Sequence, residues 1–304
     1  MMEFPDVAKL NSYYGTPEKI AFREGPGGFP VIALANGSGA CEVSLYGGHV
    51  LSYRPIGHVP VLFMSKSSLY EVGKPIRGGI PVCWPWFGAH PDNSALPMHG
   101  FARVSLWNLA GTDYTPRSTE VSLRLDHSDE TLALWPHKFR LTLRVTLEQF
   151  LRVELTTRNM DEEAFVFSEA LHSYFMVRQI VETTIRGLEG AEYADKTQAN
   201  GRGVQDGPIV VGEEFDKIYV DTDAECVVED AALGREITVS KEGSKSTVVW
   251  NPWIEKAQRM ADFGDDEYKR MVCVETANAF DNKVTLEPGA THSMAVTIRA
   301  ALKE

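Results

Sequence analysis

The run Phe139-Arg140-Leu141-Thr142-Leu143-Arg144-Val145-Thr146-Leu147 places an apolar side chain at every second position without a break. Successive side chains of a strand point to opposite faces, so this run gathers its apolar groups on one face only when extended. Wound as a helix, the same residues would scatter around the axis. Val121-Ser122-Leu123-Arg124-Leu125 shows the same period. Leu151-Arg152-Val153-Glu154-Leu155-Thr156 follows the long run almost at once, which predicts a hairpin partner. Ile237-Thr238-Val239, Thr247-Val248-Val249-Trp250, Met271-Val272-Cys273-Val274 and Met294-Ala295-Val296-Thr297-Ile298 extend the pattern toward the C-terminus. Gly and Pro clusters such as Gly25-Pro26-Gly27-Gly28, Asn36-Gly37-Ser38-Gly39 and Glu287-Pro288-Gly289 punctuate it. Only Trp253 to Ala261 approaches a helical period. With no linker, low-complexity tract or fixed-period repeat, the chain is expected to be all-β, an antiparallel sandwich or barrel forming a single domain over residues 1–304.

Size and charge narrow the function classes. A chain of 304 residues buries roughly three quarters of its unfolded surface and needs no staples. Cys41, Cys83, Cys226 and Cys273 are far apart and form no Cys-x-x-Cys pair, so reduced, mostly buried thiols are expected rather than disulfides or a zinc site. The 42 acidic and 30 basic side chains give a net charge of −12, which argues against a nucleic-acid partner. No run approaches the roughly 18 consecutive apolar residues of a membrane-spanning helix. Met1-Met2-Glu3-Phe4-Pro5-Asp6 has acids where a leader wants cations, so a soluble, cytoplasmic protein with no membrane partner is expected.

Five segments could carry chemistry. Pro75 through Gly88 is too rich in Gly and Pro for regular structure, and it holds Arg77 before two glycines that would let an anion approach. Taken alone, it reads more readily as a Pro-rich core loop with a surface Arg. Met98-His99-Gly100-Phe101-Ala102-Arg103 offers an imidazole and a cation on one loop, or a structural His. In Glu169-Ala170-Leu171-His172-Ser173-Tyr174-Phe175, strand alternation puts His172 on the face of Ala170 and Tyr174, as a proton-trading group or a satisfied core His. Glu275 closes an apolar strand, either solvated at its end or held as a buried base. Asp216 by itself is one acid among many. His49, His58 and His90 match no familiar ligand spacing with His99, so no metal is expected. The phosphate-loop, dinucleotide, His-Glu-x-x-His and Gly-x-Ser-x-Gly signatures are absent.

Taken together, the chain resembles the aldose-1-epimerase superfamily, and within it the hexose-6-phosphate mutarotase branch. The resemblance rests on Leu45-Tyr46-Gly47-Gly48-His49-Val50, Pro75 through Gly88, His99 through Arg103, Leu171 through Phe175, Trp250-Asn251-Pro252-Trp253-Ile254-Glu255-Lys256-Ala257, and Asp265 through Glu275. It implies a large antiparallel β-sandwich of the galactose-mutarotase type with a sugar cleft on one face. It further implies His172 as general acid, Glu275 as general base, His99 as a second substrate-orienting imidazole and Asp216 as a ligand of sugar hydroxyls. Arg77 and Arg103 would be the phosphate-binding cations. The chain departs at Met98, where relatives often carry Gln, so one hydrogen bond to the sugar would be missing there.

Anomer exchange needs a proton taken from the hydroxyl at C1 and one given to the ring oxygen. A carboxylate and an imidazole can supply both without a cofactor, each transfer being worth about 10²–10⁴-fold. That chemistry expects Glu275 ionised and His172 protonated at rest. Two arginines suit a phosphate carrying about −1.5 to −2 charges, because their planar forks bind its oxygens bidentately. The expected protein is a monomer that acts on a hexose 6-phosphate. The competing readings are an epimerase of unphosphorylated aldoses and a non-catalytic carbohydrate-binding sandwich.

Overall fold

The computed structural model describes residues 2–303, so the two ends of the expected 1–304 unit lie outside the described residues. Alternation becomes sheet as expected. In the strand Phe139–Leu147 the five apolar residues are buried while the intervening Arg and Thr are not. It pairs with Leu151–Asn159 from Leu147↔Leu151 outward, which is the anticipated hairpin.

Two large sheets carry the architecture. The nine-stranded sheet runs Ile209–Val210, Thr183–Arg186, Cys226–Asp230, Arg235–Glu242, Thr291–Leu302, Leu151–Asn159, Phe139–Leu147, Thr119–Asp126, Asn108–Tyr114. The eight-stranded sheet runs Gly201–Val204, Glu192–Asp195, Phe215–Tyr219, Ser246–Asn251, Met271–Asn278, Glu169–Leu171, Val82–Cys83, with Tyr174–Met176 also pairing to Met271–Asn278. A four-stranded sheet, Ile20–Glu24 through His49–Pro55, flanks them, and the pairings between named strands are antiparallel throughout. The inner faces share one apolar core. Leu123, Leu143 and Val153 come from the larger sheet, and Leu171, Val249, Val272 and Val274 from the smaller.

Alternation fails on two adjacent strands of the smaller sheet. Ser246–Asn251 and Met271–Asn278 are buried at every position, so both of their faces are covered. One face meets the inter-sheet core. The other carries Trp250, Cys273 and Tyr174 in one cluster and Val248, Ala277, Ala170 and Cys83 in another. Loops and a short helix roof this outer face, and the candidate site lies between them and the sheet.

The helix Trp253–Arg259 falls where a helical period was expected. Val7–Tyr14 and Asp129–Leu134 were not anticipated, and their ends explain why. Asp6 caps the first through the Ala8 and Lys9 N–H groups, and Ser128 and Thr131 form a capping box on the second. The first packs only Val7 and Leu10, half-buried, against the core, too short an apolar stripe to announce it. No helix among the described residues is long and apolar enough to cross a membrane.

Leu143 is fully buried where the sheets meet. Leu143→Ala should therefore cost about 2–5 kcal/mol, part transfer and part cavity. Urea unfolding of the purified variant measures it, and a loss below about 1 kcal/mol would place Leu143 outside the shared core.

Candidate active site

The loop from Pro75 reaches the outer face because its glycines let backbone touch backbone. Gly79 has φ 61°, and a Cβ there would lie 2.1 Å from the Val50 carbonyl oxygen. Its own N–H donates to Phe63 O at 2.7 Å, and its carbonyl accepts from Tyr174 N–H. His49 Nε2 lies 2.8 Å from Gly78 O and clamps the same turn from below. Burial pushes the His49 imidazole down to about 3, so it stays neutral and donates. His49 is thereby spent on the turn.

Arg77 emerges from this turn held on both sides. Its Nε and Nη2 donate to Asp262 Oδ2 at 3.1 and 2.9 Å, and Nη1 donates to the Tyr174 hydroxyl at 3.0 Å. Burial works against its charge, but Tyr174 and Asp262 outweigh burial and raise its pKa.

The second loop is stitched to the first. Gly100, at φ 73°, would put a Cβ 1.9 Å from Trp84 O, an oxygen that also accepts from Phe101 and Ala102 N–H. His99 N–H donates to Gly88 O at 2.6 Å, and Gly88 N–H donates to His99 Nδ1 at 3.3 Å. An accepting Nδ1 leaves the proton of the neutral ring on Nε2. Burial, then the Arg103 charge, holds the His99 pKa well below its usual value, so His99 offers the cavity a neutral N–H donor.

Arg103 is placed differently from Arg77. Its Nη2 donates to Met98 O at 2.6 Å, and it does not line the cavity, whereas Met98 does.

His172 and Glu275 meet at the floor. Glu169–Leu171 ends just before His172, whose N–H donates to Pro81 O and whose ring stacks on Tyr174 at 4.8 Å. Glu275 lies inside the strand Met271–Asn278 and is 1% exposed, which overturns the solvated strand-end reading. His172 Nε2 and Glu275 Oε1 are 3.3 Å apart, while His172 Nδ1 and Glu275 Oε2 are buried without partners.

Electrostatics at the floor run against the expected resting charges. Burial, then the nearby Asp216 charge, pushes the Glu275 carboxyl well above its usual range. Burial, then Arg103 and Arg77, pushes the His172 imidazole well below its own. The pair therefore holds its proton as a neutral acid beside a neutral imidazole. The ionised pair, with Glu275 as anion and His172 as cation, has the same proton count and is reached by a transfer across 3.3 Å.

Asp216 faces the pair between two cations, Lys196 Nζ at 3.5 Å and Lys256 Nζ at 3.6 Å. Arg77, His99, His172, Asp216, Glu275 and Met98 all line one cavity of about 220 Å³, together with Phe87, Lys196, Val248, Trp250, Lys256 and Met260. A broader hollow of about 770 Å³ shares Phe87, Met98 and Lys196 with it but contains neither His172 nor Glu275. Sequence reasoning missed both lysines. Lys256 lies in the Trp250 to Ala257 stretch quoted for the resemblance, so a signal existed; Lys196 sits in an isolated turn that gave none. Among the described residues, His172, Cys273 and Glu275 bring their ligand atoms within 4.8 Å of one another, and His49, His58 and His90 do not join His99 in any such group.

Comparisons agree with this architecture. The family model described as "Aldose 1-epimerase" matches residues 30–299. A relative from Cenchrus ciliaris named "Putative glucose-6-phosphate 1-epimerase" is 38% identical over 87% of this chain and 82% of its own length. One of the same name from Escherichia coli K12 is 36% identical over 85% of this chain and 86% of its own. The crystal structure of a "putative mutarotase (YeaD)" from Salmonella typhimurium superposes with a TM-score of 0.88 at 32% identity, covering 95% of each chain.

The pair sets a pH signature. Unfolded, Glu275 and His172 titrate near 4.5 and 6.5, whereas folded they keep one proton between them. Between those values both states hold one proton and stability is flat. Above 6.5, and up to the raised pKa of folded Glu275, the unfolded state holds none, so stability falls with rising pH. Below 4.5 the unfolded state holds two, so stability falls with falling pH. Glu275→Gln removes the alkaline limb: as pH rises above neutrality its melting temperature should decline less than that of the wild type. Parallel declines would refute the raised Glu275 pKa.

Proposed function

The chain belongs to the aldose 1-epimerase family, and on that premise we propose that it is a glucose-6-phosphate 1-epimerase, an isomerase interconverting the α and β anomers of hexose 6-phosphates. The observation that carries the reading is the His172–Glu275 contact of 3.3 Å at the floor of a cavity lined by three cations.

In the proposed reaction Glu275 takes the proton from the hydroxyl at C1 while His172 gives one to the ring oxygen. The bond from C1 to the ring oxygen breaks, and the aldehyde forms. Rotation about C1–C2 presents the other carbonyl face, and the two transfers reverse, so enzyme and proton count are restored. The sugar supplies partners that the protein does not provide at the floor. Its C1 hydroxyl gives the unpartnered Glu275 Oε2 a donor, and its ring oxygen accepts from His172, which favours the ionised pair. Asp216 accepts from sugar hydroxyls, and His99 donates from Nε2. Met98 offers its thioether where an amide would bond.

The phosphate falls to Arg77. A guanidinium has five N–H donors, and Asp262 and Tyr174 engage three of them, leaving two for phosphate oxygens. Arg103 contributes from behind the wall, through its field and by fixing the Met98 carbonyl. Lys196 and Lys256 add positive charge on the other side. The reading keeps residues 1–304 as one domain, a cytoplasmic monomer that acts without a cofactor. One observation favours a second substrate class, unphosphorylated aldoses: Arg77 is already neutralised in part by Asp262.

Exchange between the α and β anomers of glucose 6-phosphate, followed by NMR, tests both. His172→Ala and Glu275→Gln should each lose about 10²–10⁴-fold in rate, and a variant at full rate removes its residue from the mechanism. Arg77→Ala should raise KM for glucose 6-phosphate about 10- to 100-fold, the value of one or two hydrogen bonds to a charged group, with kcat far less changed. Equal effects on glucose 6-phosphate and free glucose would assign the site to unphosphorylated sugars.

A further inference from the structure

The geometry points to a second occupant of the same floor: we propose that His172, Cys273 and Glu275 form a three-ligand site for a thiophilic divalent cation, zinc above all, which blocks anomer exchange when bound. Cys273 and Glu275 are two apart on Met271–Asn278, so both side chains leave the sheet on the same face. His172 comes to that face from the adjoining segment, with Tyr174 paired directly to Cys273. All three side chains are buried, and the Cys273 thiol makes no hydrogen bond to the acid–base pair.

Zinc bonds of about 2.0–2.3 Å imply ligand-to-ligand spacings of about 3.3–3.8 Å in a tetrahedron. His172 Nε2 and Glu275 Oε1, at 3.3 Å, already stand at that spacing. The widest separation within the trio is bounded by 4.8 Å, so closing it asks for about 1 Å of side-chain movement. The set is one imidazole, one thiolate and one carboxylate, with the fourth position facing the cavity, an arrangement suited to zinc and not to magnesium. On binding, the thiol proton and the proton held by the pair leave to solvent. Thiolate and carboxylate then cancel the charge of the cation, which limits the cost of burial and the repulsion from Arg77 and Arg103.

Two features make the ion a visitor and not a resident. His172 Nδ1 has no hydrogen-bond partner, so the outer bond that usually orients a zinc-bound imidazole is missing. The imidazole and carboxylate that would hold the ion are the two groups proposed to move protons, so metal and sugar exclude each other.

Cobalt(II) tests the site directly in the intact protein. Added to wild type, it should give a thiolate-to-cobalt charge-transfer band in the near ultraviolet. Cys273→Ala should lose that band, and Cys83→Ala should keep it. Zinc should inhibit anomer exchange, magnesium should not, and Cys273→Ala should keep basal exchange while needing at least about tenfold more zinc for half-inhibition. If the Ala variant does not fold, Cys273→Ser preserves the volume and is held to the same expectation. A wild-type cobalt complex without a thiolate band, or equal zinc sensitivity in wild type and the Cys273 variant, overturns the proposal. The inhibition measurement rests on the proposed epimerase reading and the cobalt band does not, so the two fail separately.

Discussion

The strand Met271–Asn278 is buried on both faces, and the site follows from that. Val272 and Val274 lock one face into the inter-sheet core, so the strand cannot rotate or slide without exposing them. Period two then sends Cys273 and Glu275 to the other face, where Tyr174, Trp250 and His172 cover them. A carboxylate placed there cannot reach bulk water. It must find a proton or a partner, and the packing supplies His172. The proposed acid–base pair is thus a consequence of sheet packing, with the apolar half of the strand holding Glu275 in place.

Burial alone would make the floor inert, because it favours the neutral forms of both partners. The surrounding charges divide the work. Arg103 and Arg77 lower His172, so a proton that reaches the imidazole is readily given up. Asp216 raises Glu275, which makes it a stronger base whenever it is ionised, and Lys196 opposes this. The neutral arrangement is therefore favoured at rest by burial and by most of these charges, and only Lys196 and Arg103, acting on Glu275, pull toward the ionised one. The site also stores destabilisation in the folded protein, as functional sites commonly do.

Much of the scaffold was legible because its strands obey period two. Phe139–Leu147 buries the predicted face and pairs with the predicted neighbour. Legibility failed where local pattern stops being the determinant. Val7–Tyr14 starts at the Asp6 cap and sets only Val7 and Leu10, half-buried, against the core, too short a stripe for hydrophobic periodicity to report. Glu275 read as a strand-end acid because the strand continues through Thr276, Ala277 and Asn278, whose burial depends on loops distant in sequence. His172 and Glu275 were singled out by resemblance and by residue chemistry, but their mutual distance is a property of the register between Glu169–Leu171 and Met271–Asn278. Lys196 escaped because nothing in its turn distinguishes it, and its place opposite Asp216 is set by the edge of the sheet. Arg103 shows a contact that its motif did not announce. Its motif suggested a ligand of the substrate, yet five residues of loop bring its guanidinium back to Met98 O.

The net charge of −12 and the proposed anionic substrate are compatible because potential in a cleft is set by neighbours and not by totals. Around the cavity stand Arg77, Lys196 and Lys256 against Asp216 and Glu275. With Glu275 holding the proton that burial favours, its charge drops out and the lining is left net positive. The neutral floor is therefore also the state that best admits a phosphate. Once the sugar has entered, it supplies hydrogen bonds at the anomeric end, and the pair can separate its charge beneath it. Attraction at one end of the cavity and charge separation at the other then occur in sequence and do not compete for the same electrostatic field.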